Sequence, residues 1–268
     1  MQQDNEFSKQ KLLAKLDEIV GVWHSGTREG NDGNAGHTFE DLMGITENNL
    51  SIPDFGIFEI KTRRVEAGSL ITLFHKEPKP AATIPKLIVA MGWPHKNPNN
   101  KYPAGEMSFR STTASDRYSV RGFRVVLSEG RISLEFNKNK VASDTIDQTG
   151  QYKTYGDWLS DIEQRNPHYQ SLFPIFWDES NFIAKCVEKL DNTLFVQCKS
   201  KNVGGRMMYM YTEAVLLKGF KPKRLIELFT SGGLFIDFDA RTGHNHGTKL
   251  RVKLSKVAEL FETHEIVG

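Results

Sequence analysis

The sequence predicts an α/β fold in which a mixed central sheet is flanked by helices. Apolar residues at helical spacing predict an amphipathic helix over residues 9–20, with Ser8 as a cap. From residue 57 onward, short β-rich stretches recur, and several of them alternate polar with apolar residues. Helical patterns separate some of these strands, which favours an α/β class over an all-β one.

Length and composition indicate one substantial core. The chain has 268 residues, of which 38% are hydrophobic, and we expect a single domain. No window has the apolar length that a bilayer requires, so we expect neither a signal peptide nor a membrane span, and a cytoplasmic location. Cys186 and Cys198 lie in core-like segments without metal-ligand spacing, and we expect inert, reduced thiols.

Charge is distributed unevenly along the chain. Residues 199–253 contain eleven Lys or Arg against four acids, a local charge of +7 that leaves −5 for the rest of a chain whose net charge is +2. This asymmetry suits a polyanion on one face and a cation at an acidic cluster elsewhere. An ordinary solvated surface is the alternative.

The first half of the chain contains a glycine-rich segment and two strand patterns. Gly26–Gly36 precedes a short helical pattern at 37–43, but it lacks the order GxxxxGK[ST] and a preceding strand, so we reject a nucleotide-binding loop. Residues 57–62 and 70–74 predict a hairpin. Residues 76–118 show little periodicity and predict a long irregular excursion.

The second half supplies the remaining elements. We expect strands at 122–127, 131–136, 193–199, 206–211, 234–240 and 248–254. We expect helices at 155–164, 181–190 and from Ser255 onward, and a polar loop over 241–247. The aromatic residues of this half are interpreted as core or sheet residues rather than stacking platforms for bases: Phe176, Trp177, Tyr209 and Tyr211.

The most informative chemistry lies at Asp54, Glu59 and Lys61. Residues i and i+2 of a strand share a face, so Glu59 and Lys61 project together toward Asp54, which precedes the strand. Two converging carboxylates can bind a hard cation such as Mg²⁺, which activates water, while the ammonium stabilises charge on a phosphodiester. The alternative is a strand face with a salt bridge. Glu40, upstream on a helical pattern, is a third acid within reach.

A similar triplet at Glu77-Pro78-Lys79 fails the structural test. Its central proline argues against the interior of a strand. Only the triplet at 59–61 therefore fits a strand that presents an acid and a lysine together.

Two distant segments carry a family resemblance. The run from Trp23 to Phe74, with GNDGNAGHTFEDL, IPDFGIFEIKT and SLITLF, resembles the MvaI/BcnI group of restriction endonucleases, whose PD-(D/E)xK core is similar to the mismatch-repair nickase MutH. Residues 239–251 resemble the base-contacting C-terminal segment of the MvaI branch. The resemblance implies a restriction-endonuclease-like core with a DNA-binding cleft.

By motif position, the resemblance also implies residue roles. Asp54 and Glu59 become metal ligands, Lys61 the catalytic lysine and Glu40 an accessory acid. The candidate base contacts are Asp239, Arg241, His244, His246 and Arg251. Arginine can donate twice to guanine and aspartate can accept from cytosine, so this set suits a G·C-rich site. A polar hairpin tip is the alternative for the histidines.

We therefore expect a Mg²⁺-dependent type II restriction endonuclease that hydrolyses double-stranded DNA at a short, nearly palindromic CCNGG-type site. The resemblance implies a bacterial, cytoplasmic monomer with a cognate DNA methyltransferase as genetic partner. Within one domain over 1–268, the catalytic lobe covers about 1–75, and the recognition elements lie within about 76–268, including a C-terminal hairpin at 234–254. Two rivals remain: a MutH-like strand-specific repair nickase, and a non-cutting DNA-binding protein on the same fold.

Overall fold

The computed structural model describes residues 2–28, 33–45, 53–66, 68, 70–96 and 101–268. Its internal contacts divide the chain into two compact units. Unit 1 comprises Met1–Ile71, Ala184–Arg224 and Lys253–Gly268, and unit 2 comprises Thr72–Ile183 and Leu225–Val252. Each unit is thus built from segments that are distant in sequence. The predicted single domain, with its lobe boundary near residue 75, stays a prediction, as does the DNA-binding cleft.

Helices are interspersed among single strands and runs of strands along the described chain. The α-helices are α1 (Gln2–Ile19), α2 (Asn34–Leu42), α3 (Thr83–Met91), α4 (Tyr155–Arg165), α5 (Glu179–Leu190) and α6 (Pro222–Thr230). The first eight strands are β1 (Trp23–Ser25), β2 (Glu59–Arg64), β3 (Leu70–His75), β4 (Trp93–Pro94), β5 (Met107–Ala114), β6 (Arg121–Ser128), β7 (Arg131–Val141) and β8 (Ile175–Asp178). The last five are β9 (Asn192–Val203), β10 (Arg206–Phe220), β11 (Leu234–Arg241), β12 (His244–Lys253) and β13 (Phe261–Ile266).

The sheet of unit 1 is mixed. Its order is β1-β10-β9-β2, and β13 pairs with another part of β10. β2 runs parallel to β9, with Glu59 opposite Thr193 and Lys61 opposite Phe195, whereas β10 is antiparallel to β1, β9 and β13. The predicted α/β class with a mixed sheet and flanking helices is confirmed.

Helices α1 and α2 share one apolar core with this sheet. Leu12 and Leu16 of α1 and Phe39 of α2 are fully buried, together with residues of β9 and β10. Burying each such side chain stabilises the fold by about 1.5–3 kcal/mol. The hydroxyl of Tyr211 on β10 donates to the carbonyl of Ala35 over 2.8 Å, so the buried phenol keeps a partner.

The predicted hairpin of residues 57–62 and 70–74 is wrong. β2 lies in the sheet of unit 1, and β3 lies in a different sheet beside β12. The alternating pattern marks both segments as strands, but β2 takes its backbone partner from β9, about 130 positions later in the chain. Residues 67 and 69 of the predicted turn lie outside the described residues, as do residues 29–32 of the glycine-rich segment.

Unit 2 contains two further sheets. One has the order β3-β12-β11-β5-β4, and the other has the order β6-β7-β8. The predicted irregular excursion over 76–118 is wrong in part, because it contains α3, β4 and β5. Ile84, Leu87, Ile88 and Met91 are buried on one face of α3, which is the spacing of a helix. Residues 97–100 lie outside the description.

Two expectations near the C-terminus are also corrected. The polar loop predicted over 241–247 shortens to Thr242 and Gly243, because β11 extends to Arg241 and β12 begins at His244. Gly243 has a φ of +70°, a left-handed conformation that glycine adopts without strain. The helix predicted from Ser255 is replaced by two short 3₁₀ turns and β13, which pairs with β10 and so supplies hydrogen-bond partners for that strand.

The interpretation of Trp177, Tyr209 and Tyr211 as core residues is confirmed. Trp177, Tyr209 and Tyr211 are buried, and so are both cysteines. Burial raises the pKa of Cys198 to about 12, which keeps that thiol protonated and unreactive. Among the described residues, no helix is long and apolar enough to cross a membrane.

Candidate active site

The centre of the candidate active site is the carboxylate of Glu59 in unit 1. Glu59 is the first residue of β2 and is only 3% exposed. An isolated buried carboxylate is costly, so it needs cationic or hydrogen-bonding partners. Lys61, two positions along the same strand, donates to Oε1 of Glu59. The shared strand face that the sequence predicts is therefore realised as a direct contact.

A second lysine reaches the same carboxylate. Nζ of Lys189 lies 3.4 Å from Oε2 of Glu59. Lys189 stands in the last turn of α5, four residues before Thr193, the β9 partner of Glu59. Each oxygen of Glu59 thus faces one ammonium group.

Asp54 approaches from the segment before β2. Its Oδ2 accepts a hydrogen bond of 2.8 Å from the backbone N–H of Ile60, the residue between Glu59 and Lys61. This bond fixes the Asp54 side chain at the start of β2. Among the described residues, Oδ1 of Asp54 has no hydrogen-bond partner, which leaves it available as a ligand oxygen.

Glu40 lies on α2, which packs beside β2 in unit 1. Its Oε2 is 3.5 Å from Nδ1 of His37, one turn earlier on the same helix. The structure therefore brings Glu59 and Lys61 into contact, and Asp54 accepts a hydrogen bond from the amide between them. Glu40 instead contacts His37.

The donor set fits a hard divalent cation. Asp54 and Glu59 offer carboxylate oxygens, the ligands that such ions prefer. Within the part of the chain that the structure describes, no group of three or more His, Cys, Asp or Glu side chains forms a metal site. Asp54 and Glu59 are the carboxylates that would hold such an ion, and backbone oxygens or water would complete its coordination.

A second group of candidate residues lies on the hairpin of β11 and β12 in unit 2. Alternation along these strands and β5 places apolar side chains such as Phe109 and Phe238 in the core and polar ones on the other side. We call this other side the polar face and define it by seven residues: Arg110, Thr112, Asp237, Asp239, Arg241, Lys249 and Arg251.

Asp239 of the polar face pairs with two cationic side chains. Its Oδ2 accepts from Nζ of Lys249 over 2.7 Å, and its Oδ1 lies 3.0 Å from Nε of Arg110. Burial acts to raise the pKa of Asp239, but the Lys249 hydrogen bond and the nearby positive charges outweigh burial and lower it. Asp239 is therefore an anion held between two cations.

The two candidate arginines also have acidic partners. Nη1 of Arg241 donates to Glu106 over 2.7 Å, and its guanidinium lies 5.0 Å from the ring centroid of Tyr102. Nη1 of Arg251 donates to Asp237 over 3.3 Å. Such pairs hold the arginines in fixed orientations before any ligand arrives.

His244 and His246 stand exposed at the start of β12 with ring centroids 4.2 Å apart. Partial burial and the nearby positive charges lower the pKa of His246, although Asp239 acts to raise it. Both histidines thus lie beside the turn, where the sequence places them.

Glu77, the acid of the rejected triplet, supports this hairpin. Its Oε1 accepts from the backbone N–H of Thr248 over 2.7 Å, and its Oε2 accepts from Asn245 over 3.0 Å. Lys79, the lysine of the same triplet, pairs with Asp178. The acid and the lysine of the rejected triplet therefore have structural roles.

Sequence reasoning missed Lys189 and Arg110. A lysine in the last helical turn usually complements the helix dipole, so the sequence gives no reason to connect Lys189 with Glu59. Arg110 falls in the region predicted as irregular, to which no strand was assigned. The alternation of Phe109, Arg110 and Thr112 was the one local signal available.

The chain is similar to known restriction endonucleases. The model of the MvaI/BcnI restriction endonuclease family matches residues 13–261. A solved complex of restriction endonuclease MvaI with cognate DNA is 21% identical, with coverage of 98% of this chain and 99% of that chain and a TM-score of 0.74. MvaI in the absence of DNA is also 21% identical, with coverage of 97% and 98% and a TM-score of 0.48.

The MvaI–DNA complex supports the fold, and no curated protein matches the chain. The family match, in contrast, spans most of the sequence and includes both regions described above. The chain therefore belongs to the MvaI/BcnI restriction endonuclease family and is a type II site-specific deoxyribonuclease, as its sequence predicts.

Proposed function

We propose that this chain is a Mg²⁺-dependent restriction endonuclease that cuts double-stranded DNA at a short, nearly palindromic CCNGG-type site. Asp54 and Glu59 hold the metal, Lys61 is the catalytic lysine, and Glu40 is an accessory acid. The observation that carries this proposal is the contact of Lys61 with Glu59, with Asp54 bound to the amide between them.

The chemistry is hydrolysis without a covalent intermediate. When bound, Mg²⁺ supplies charge neutralisation and lowers the pKa of a ligand water. The Lys61 ammonium stabilises the charge that develops on the phosphate oxygens. The water oxygen gives up one proton to solvent and forms a bond to phosphorus, the bond from phosphorus to O3′ breaks, and O3′ takes up one proton from solvent. The products are a 5′-phosphate and a 3′-hydroxyl.

Base recognition is assigned to Asp239, Arg241, His244, His246 and Arg251. The proposal is supported by their positions on or beside the polar face and by their matching donor and acceptor chemistry. A mixture of arginine donors and an aspartate acceptor suits G·C pairs. The intramolecular partners of Asp239, Arg241 and Arg251 orient these groups before DNA binds.

The protein acts as a monomer with one active site, so it cuts the two strands in successive nicks. Its genetic partner is a DNA methyltransferase that modifies the same site and thereby protects the host DNA. Light scattering during gel filtration tests the oligomeric state, and premethylated plasmid tests the protection.

The decisive test is plasmid cleavage. Wild-type protein with Mg²⁺ should convert supercoiled DNA first to nicked and then to linear product, and EDTA should stop the reaction. Asp54→Asn keeps an oxygen that can accept from Ile60, and Lys61→Met keeps most of the side-chain volume, so loss of cleavage in both points to chemistry rather than folding. Lys185→Met is the matched control, because Lys185 pairs with the exposed Glu188.

Sequencing of the cut ends reports the site, the cut position and the end chemistry together. Supercoiled DNA left intact by wild-type protein across varied sequences would contradict the proposal. A product that remains nicked at saturating enzyme concentration would indicate a strand-specific nickase instead.

A further inference from the structure

Arg110 is the most exposed arginine or lysine of the polar face. Its side chain is 46% exposed, compared with 24% for Arg241, 21% for Lys249 and 29% for Arg251. Arg110 lies on β5 directly opposite Asp239 on β11. A ligand that approaches this face therefore meets Arg110 with little rearrangement of the protein.

The ion pair of Arg110 uses only one edge of its guanidinium. Nε lies 3.0 Å from Oδ1 of Asp239. Among the described residues, the two terminal amino groups of Arg110 have no hydrogen-bond partner. A guanidinium anchored through Nε still presents terminal N–H groups, and these can donate in parallel to two acceptors.

The backbone beneath Arg110 is fixed. Phe109 on the core side of β5 is fully buried, and its ring packs edge-to-face against Phe123 and Phe238. β5 is also hydrogen-bonded to β11 along its length. Arg110 and Asp239 are therefore held as neighbours by the sheet, which is the rigid support that specific recognition requires.

An arginine and an aspartate side by side complement one G·C pair. In the major groove, guanine offers the acceptors O6 and N7, and its paired cytosine offers the donor N4. We propose that Arg110 is a specificity-determining residue that donates to O6 and N7 of one guanine, while Asp239 accepts from N4 of the paired cytosine. This inference rests on the proposed function, because it assumes a G·C-containing site.

The inference is tested by binding to short duplexes that carry the cut site and to scrambled duplexes. Asp54→Asn serves as the background, so that bound DNA stays intact. Arg110→Ala should weaken binding to the cut-site duplex by about 5- to 150-fold, the range for loss of one bidentate contact to a base, and leave scrambled binding nearly unchanged. Arg110→Lys should not restore the preference, because an ammonium lacks the planar fork.

Replacing single guanines with 7-deazaguanine identifies the contacted base, because this analogue lacks the N7 acceptor. The parent protein should lose affinity at the guanine that Arg110 contacts, and Arg110→Ala should show no further loss there. Arg117→Ala is the matched control, because Arg117 forms an exposed ion pair with Asp116 in the same unit. That variant should retain the wild-type preference.

Three outcomes would overturn the inference. Equal weakening on both duplexes would mean that Arg110 contacts phosphate. An unchanged preference in Arg110→Ala would mean that it contacts no base. The third outcome has two parts. Arg110→Ala would remain sensitive to 7-deazaguanine at every guanine, and Asp239→Asn would lose the same preference for the cut-site duplex. Together these results would mean that Arg110 only supports Asp239. If the parent protein shows no preference for the cut-site duplex over the scrambled duplex, the proposed function fails as well. If only the Arg110 variants contradict the expectation, the inference fails and the proposed function stands.

Discussion

The ammonium of Lys189 lies 3.4 Å from Oε2 of the buried Glu59, so the proposed metal ligand is held from two sides, by Lys61 and by Lys189. The two lysines are equally sheltered, each with an 18% exposed side chain. One belongs to the same strand as Glu59, and the other comes from a helix that precedes the neighbouring strand. A carboxylate with two fixed partners keeps one orientation.

The first prediction concerns Lys189→Met. Removing this partner loosens the Glu59 carboxylate, and DNA cleavage should slow by about 10- to 100-fold, the usual effect of losing a residue that orients a metal ligand. Lys185→Met tests the same helix one turn earlier at a nearly equal 17% exposure and should cleave at the wild-type rate. Equal rates for the two variants would show that Lys189 has no part in the reaction.

The second prediction concerns the buried pair of Arg121 and Asp147. Their side chains are 5% and 0% exposed, and the Arg121 guanidinium lies 4.3 Å from the ring centroid of Trp93. Asp147→Asn leaves the guanidinium buried without an anionic partner and should lower the free energy of unfolding by about 3–5 kcal/mol. Urea unfolding followed by tryptophan fluorescence measures this loss.

The exposed pair of Arg117 and Asp116 is the control for that experiment. Asp116 is 37% exposed, and Asp116→Asn should change the free energy of unfolding by less than about 1 kcal/mol. If both substitutions have the same small effect, the buried pair contributes no more than a surface one.

The third prediction is a pH dependence at Asp239. Its pKa in the folded state lies below the ordinary value of 3.8, so the unfolded state binds more protons between these two pKa values. Its stabilising contribution is therefore complete above pH 3.8 and is lost as the pH falls through the lower, folded-state pKa. The difference in melting temperature between wild type and Asp239→Asn should stay constant above that range and shrink below it. A difference that grows on acidification would contradict the assignment.

The fourth prediction concerns Glu77, which accepts hydrogen bonds from Thr248 and Asn245. Glu77→Ala removes both bonds and should speed hydrogen exchange of the Thr248 amide by about tenfold or more, as expected for loss of a hydrogen bond to a charged group. Glu163→Ala, which removes an exposed partner of Lys138, should leave this amide unchanged. Unchanged exchange of the Thr248 amide in Glu77→Ala would show that this part of β12 is stable without Glu77.

The fold class follows from local patterns, but strand partners do not. Alternation identifies β2 and β3 as strands, yet their assignment to different sheets depends on long-range pairing with β9 and β12. The segment predicted as a terminal helix instead leads into β13. The backbone groups of β13 pair with those of β10 in the sheet of unit 1. Tertiary pairing thus overrides local preference in both places.

The candidate site was predictable where its residues are close in sequence. Glu59 and Lys61 share a strand face, and the structure joins them directly. Lys189 could not be found in this way, because its proximity to Glu59 depends on the parallel register of β2 and β9. The same holds for Arg110, which meets Asp239 only through the pairing of β5 with β11.

The parallel pairing of β2 with β9 also determines when, during synthesis, the residues around Glu59 can take up their folded arrangement. The chain emerges from the ribosome in order, and the neighbour of Glu59 in the sheet, Thr193, is made 134 residues after it. A nascent chain that has not reached β9 carries the acids and the lysine without the strand that orders them. The proposed catalytic residues of this restriction endonuclease are therefore ordered only late in translation.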